Sequence, residues 1–245
     1  MAFRLLIIAC LSCLVGCAVY SPTVPCTPLV QKGQVELAVS MRTLFSVDGS
    51  AAYSPINHLL VSTEGAVRRG GGNMTVNGAK EEFTDLHRQG SLGLGAYQEF
   101  GPDHSFYVAA VGGVGVAAVN VHNGLVGTLA EYTANYTRYY GQVYVAQRGK
   151  FISGGFSMRI NWLTYSRLAL DNVPVDPMSH YYLEPSLFVR AGKGALQSQL
   201  TVGVSMPDHT SSGYGANILA ARSSLVSLGL VFLPALLTKR GDVAR

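Results

Sequence analysis

Ser179 and His180 stand side by side with Asp176 just upstream, and a hydroxyl, an imidazole and a carboxylate are the groups that nucleophilic acyl transfer combines. The chemistry this set would serve is hydrolysis or transfer of a lipid acyl chain. A Ser-His pair adjacent in sequence arises readily by chance, however, and a lone loop histidine is usually only solvated. Gly113-Val114-Gly115-Val116-Ala117-Ala118, with Glu131 eighteen residues after Gly113, has the outline of a dinucleotide-binding turn. That turn must open a helix, and Asn120, His122, Asn123 and Gly124 interrupt any helix here, so the glycines are expected to let a strand bend or pack closely. The six histidines show none of the paired spacings that zinc sites use. The expectation is no catalytic residue, no cofactor and no metal.

The thiol of Cys17 is the stronger candidate for chemistry. It follows Leu14-Val15-Gly16 at the end of an apolar run, Leu5 to Val15, which is eleven residues long where a membrane-spanning helix needs roughly 20. Such a run is the core of a signal peptide. A small residue and then cysteine is the arrangement in which bacterial lipoproteins are acylated on sulfur, cleaved before the cysteine and acylated again on the new amine. Cys13 is a poorer fit, because Cys10 stands where a branched aliphatic is wanted; an ordinary secretory cleavage nearby is the alternative. Each buried methylene contributes about 0.8 kcal/mol, so several acyl chains, palmitate among them, hold a protein on a membrane almost permanently. After cleavage only Cys17 and Cys26 remain, and acylation of Cys17 leaves no intrachain disulfide. Pro22, Pro25 and Pro28 make Tyr20 to Leu29 an extended spacer in which Cys26 is expected to be a small tether residue. No acidic cluster follows Cys17.

Charged residues are 13% of the chain against roughly 25% in soluble domains, while 28 glycines and 13 tyrosines are many. That balance suits a β protein facing an apolar medium. Removing residues 1–16 takes away Arg4 alone, so the formal charge falls from +4 to +3, a scattered excess that does not argue for nucleic acid.

From Gln34 the chain alternates, with Val35, Leu37, Val39 and Met41 on one face and Glu36, Ser40 and Arg42 on the other, which is the period of a strand. The pattern returns over 58–68, 91–100, 138–146, 156–165, 181–191, 196–206 and 222–233, with less regular segments at 47–54 and 106–119. Ten strands result, eight being the alternative count. Tight connections at 55–58, 101–104, 147–150 and 192–195 alternate with long polar loops near 69–88, 122–135, 168–180 and 207–219. Short turns at one end and long loops at the other are the layout of an antiparallel up-and-down transmembrane β-barrel with its short turns in the periplasm. Lipid offers no hydrogen-bond partner, so a spanning sheet must close on itself.

The stretch Val24 to Leu37, Ala51-Ala52-Tyr53-Ser54-Pro55-Ile56-Asn57-His58-Leu59, and Leu183-Glu184-Pro185-Ser186-Leu187-Phe188-Val189-Arg190-Ala191-Gly192 are similar to pieces of a family of uncharacterised outer-membrane β-barrel lipoproteins from Bacteroidota-type bacteria. The resemblance covers most of the mature chain and implies a fold and a location, with no catalytic residues to transfer. The last strand departs from the pattern: outer-membrane barrels commonly end on an aromatic, whereas Phe232 is followed by Leu233-Pro234 and a tail, which leaves the insertion signal internal.

The organisation expected is a signal peptide over 1–16, a lipidated N-terminal spacer over 17–32, a barrel over 33–234 and a tail over 235–245. Glu36, Arg42, Glu64, Arg68, Glu99, Arg138, Arg159, Glu184 and Arg190 fall on the polar faces and are expected to fill a narrow lumen as a network of both signs. Arg240-Gly241-Asp242 matches an adhesion tripeptide by chance. The expected protein is a monomeric, non-enzymatic component or scaffold of the bacterial outer membrane. Its partners are outer-membrane lipid and an envelope protein at the long loops, and its lipid-anchored N-terminus lies on the periplasmic side. A narrow pore for small solutes is the first alternative and a lipid-modifying barrel enzyme the second.

Overall fold

In a computed structural model, the described residues are 19–42, 46–76, 79–101, 103–122, 131–175, 179–208 and 223–238. Cys17, the apolar run before it, Asp176, most of the 207–219 loop and the Arg240-Gly241-Asp242 tripeptide lie outside them. The strands are β1 (Val35–Arg42), β2 (Ser46–Tyr53), β3 (Leu59–Val76), β4 (Ala79–Phe100), β5 (Phe106–His122), β6 (Tyr132–Gln147), β7 (Ile152–Leu170), β8 (Val173–Pro174), β9 (Ser179–Ala191), β10 (Leu196–Pro207) and β11 (Ser223–Phe232). One short helix, α1 (Ala235–Thr238), follows.

Ten strands form a closed antiparallel barrel. Successive strands pair as hairpins, β7 pairs with β9, and β1 pairs with β11 to close the ring; the two-residue β8 hangs on the end of β7. The register fixes the stagger. From Phe100 on β4, partners run through Phe106, Gln147, Gly154, Val189, Leu200, Leu228, Met41, Val47 and Val67, and return to β4 at Arg88. The ring therefore closes with a shear of twelve residues over ten strands. At about 3.3 Å per residue and about 4.8 Å between strands, the strands tilt by roughly 40° from the barrel axis.

Alternation sets the two faces, and their polarity is inverted relative to a water-soluble protein. Leu37, Val39, Met41, Leu92, Val116, Ile160, Leu187 and Leu228 are exposed on the outside, while Glu36, Glu64, Arg138, Arg159, Glu184 and Arg190 are buried. Most tyrosines line the lumen rather than the exterior: nine of the twelve described are buried.

Two expectations require correction. The segment near 69–88 is strand rather than loop: β3 and β4 continue through it as a tall hairpin, paired as far as Val76 and Ala79. Glycines at 70, 71 and 72 and polar residues on both faces weaken the hydrophobic alternation there, yet the ladder continues. The strands β3 to β7 thus run 16 to 22 residues, each longer than its alternating segment at 58–68, 91–100, 106–119, 138–146 or 156–165. A bulge at Ser166, between the pairs Asn135 with Arg167 and Tyr136 with Tyr165, bends β7 in this tall wall.

The second correction concerns the spacer. Residues 19–30 do not lie outside the barrel; they run through its lumen, with Val19, Tyr20, Cys26 and Val30 all buried. Gln31 meets Glu99 at the short-turn end, and Tyr20 meets Tyr136 and Tyr182 toward the long-loop end.

Candidate functional site

Among the described residues polar chemistry is concentrated in the lumen, and its order follows the threaded segment. Pro22, Pro25 and Pro28 hold the chain extended, and no helix or strand is formed over 21–31. At about 3.1 Å per residue, Tyr20 to Gln31 reaches roughly 34 Å, enough to traverse the barrel. An extended chain makes no internal hydrogen bonds, so its backbone groups must be satisfied by the wall.

They are met level by level. At the short-turn end Gln31 donates to Glu99, which also pairs with Arg148, and the Tyr144 hydroxyl donates to the Pro28 carbonyl at 2.7 Å. Above, Glu36 accepts both terminal nitrogens of Arg190 at 2.8 Å and the Leu29 amide at 3.1 Å, while Arg190 also donates to the Thr27 carbonyl at 2.7 Å. In the middle, Glu64 accepts from the Cys26 amide at 2.8 Å, from Arg138 at 3.3 Å and from Arg159. The same two arginines converge on the Thr23 hydroxyl at 2.8 and 3.0 Å, and both lie over the Tyr140 ring. Gln142 accepts from Arg159 and donates to the Cys26 carbonyl at 2.9 Å. Higher still, Arg42 pairs with Asp48 at 2.7 Å and donates to the Pro22 carbonyl, and Asp48 accepts the Val24 amide at 3.3 Å.

Apolar and aromatic clusters close both ends of this ionic layer. Tyr97, Tyr107, Tyr144 and Phe188 pack around Val30 and Cys26 on the short-turn side, and Tyr136, Tyr165, Leu163 and Tyr182 pack around Val19 and Tyr20 on the other. A gap beside Pro25, Glu36 and Asp48 holds about 20 Å³, room for a single water. A vestibule of about 310 Å³ opens under Gln31 at the short-turn mouth.

All nine charges expected in the lumen face it, and eight have charged partners there. Arg68 pairs with Asp85 at 2.9 Å beside His87, at the open upper margin. Glu184 is the exception: it accepts from Tyr20 and Ser205 and makes no ion pair among the described residues. Asp48, Asp85 and Arg148 complete the set and were not picked out from the sequence, although Asp48 has the right parity on β2. Arg148 lies in a turn, where alternation gives no face. Among the described side chains the lumen holds six carboxylates, Glu36, Asp48, Glu64, Asp85, Glu99 and Glu184, and six guanidiniums, Arg42, Arg68, Arg138, Arg148, Arg159 and Arg190. The formal sum is zero, so the lumen presents no excess of one sign with which to select ions.

The remaining candidates separate in space. Ser179 and His180 are neighbours on β9 and therefore point to opposite faces: Ser179 is exposed beside Thr164, and His180 is buried against Tyr165. They cannot act on one substrate atom. Gly113 to Ala118 lies in the middle of β5, paired antiparallel on both sides, and the chain continues as strand to His122. A Cβ on Gly113 would meet the Tyr140 ring and the Leu92 carbonyl, so this glycine serves close packing. No group of His, Cys, Asp and Glu suited to a metal occurs among the described residues. No protein-family model matches the sequence, and no curated protein matches it.

Proposed function

We propose that this protein is an outer-membrane β-barrel lipoprotein, non-enzymatic and monomeric, that serves as an envelope scaffold with a permanently filled lumen. The observation that carries the reading is the exterior. Tyr139, Trp162 and Tyr181 form a row across β6, β7 and β9, with ring centroids 5.7 and 6.0 Å apart, and Phe100 and Phe106 pair at the other edge. From Ile152 to Trp162, ten residues along β7, the height is about 25 Å at the tilt derived above, and the outward residues between are apolar. That matches the apolar band and aromatic girdles of outer-membrane barrels. The similarity of three segments to Bacteroidota-type barrel lipoproteins agrees with it.

The threading changes where the lipid would sit. Val19 lies toward the long-loop end, and Cys17, two residues before it, is within about 7 Å of it along the chain. An acyl group on Cys17 therefore belongs to the leaflet at the long-loop end, not to the periplasmic leaflet beside the short turns. The pore reading loses ground, because the path is blocked by a segment bonded at every level.

Two measurements test the proposal. A Cys17→Ala protein should still fractionate with outer membrane; recovery as a soluble protein would overturn the membrane reading. An epitope placed between Ala18 and Val19 should be reached by antibody from the same side of intact cells as one placed between His122 and Glu131; labelling from opposite sides would overturn the topology.

A further inference from the structure

Three arginines on the outer wall take no part in the lumen network. The side chains of Arg69, Arg88 and Arg167 are exposed and make no hydrogen bond or ion pair among the described residues. Their height is informative. Arg88 is the residue at which the register walk from Phe100 returns to β4, so the two stand twelve residues, or roughly 30 Å of axial height, apart on one strand. Phe100 marks one edge of the apolar band and Arg88 the other. Arg69 opposes Leu86, one outward step above Arg88 on the next strand, so the pair are diagonal neighbours about 7–8 Å apart at the backbone. Two guanidiniums at that spacing can close on one phosphate with paired donors.

Beside Arg88 the wall is hollow. Gly90 and Ala118 leave a shallow depression of about 480 Å³ with Val67 and Val116 on its floor and Asn135 and Ser166 at its rim. Apolar floor, polar rim and unpaired cations at the margin of an apolar band match a lipid whose chain lies on the wall and whose phosphate lies above it.

We infer that Arg69, Arg88 and the adjoining hollow form a binding site for a phosphate-bearing lipid headgroup in the leaflet at the long-loop end. The inference rests on the membrane reading above, and the protein carries its own reporter: Trp162 is the only tryptophan, on the outer wall below the Ser166 rim. The full-length protein in bilayers should have Trp162 quenched by brominated phosphatidic acid at several-fold lower mole fraction than by brominated phosphatidylcholine. Arg69→Gln with Arg88→Gln, both exposed, should abolish the preference while leaving quenching by phosphatidylcholine unchanged. Equal quenching by the two lipids, or a preference that survives the double substitution, overturns the site. Competition by inorganic phosphate at matched ionic strength would show a site for the free anion and overturn the lipid assignment. Absence of quenching by either lipid would instead overturn the membrane reading itself.

Discussion

The Tyr20 hydroxyl donates a 2.8 Å hydrogen bond to the Glu184 carboxylate, joining residues 164 apart in sequence at the upper end of the lumen. Glu184 makes no ion pair among the described residues and takes its other contact from Ser205 at 2.9 Å. The threaded segment is thus a partner in the polar network rather than a strand of chain lying in an empty tube.

Tyr20→Phe removes that donor while keeping the ring against Tyr136 and Tyr182. The loss should be about 1–3 kcal/mol, the cost of leaving a buried charged acceptor short of a bond. Tyr20→Ala should lose more, because the ring contacts go too. Urea unfolding in detergent micelles measures both, and equal midpoints would contradict the assignment.

Glu64→Ala leaves Arg138 and Arg159 facing each other with no carboxylate between them. Removing one partner of a buried ionic cluster destabilises by about 3–5 kcal/mol. Loss of resistance to unfolding at elevated temperature in mild detergent is the readout, and it should exceed that of Arg167→Ala, on the outer wall and without a partner.

Purified protein should be silent in planar bilayers, with no discrete conductance steps. A variant lacking 19–31 that still fractionates with membrane should conduct, because the segment occupies the axis at every level. Steps from the intact protein would reinstate the pore.

Cys26 is 7% exposed and enclosed by the wall. Folded protein should take up no maleimide, and denatured protein should gain a single adduct by mass. A second adduct would mean a free thiol at Cys17 and would remove the lipid from the reading without touching the barrel.

Gly113→Val should destabilise by about 1–3 kcal/mol through overpacking against Tyr140, whereas Gly141→Ala, whose Cβ would meet nothing within 4 Å, should be neutral. Thermal unfolding of the two variants separates a packing role from a general need for glycine in these strands.

Parity along the strands was enough to place the barrel, its inward charges and its apolar exterior, because a two-residue period leaves each side chain only two faces. Glu36, Arg42, Glu64 and Arg190 followed from it directly. The tall β3–β4 hairpin did not, since Gly70-Gly71-Gly72 carries no side chains to alternate. The threaded segment was legible only as an extended chain: three prolines at a spacing of three fix its conformation and say nothing of its location. Its surroundings come from residues such as Thr23 and Cys26, whose partners lie 38 to 136 positions away.

A ring closed around a bonded chain also dictates an order of events. Once β1 and β11 have paired, Tyr20 would have to pass Tyr107, Tyr144, Arg190 and Tyr140 in turn to reach its place, each buried and held by its neighbours. The segment must therefore be in position while the seam is open, and the remaining strands must wrap it before the ring is sealed. The residues ahead of the first strand then act as the mandrel on which the barrel is wound.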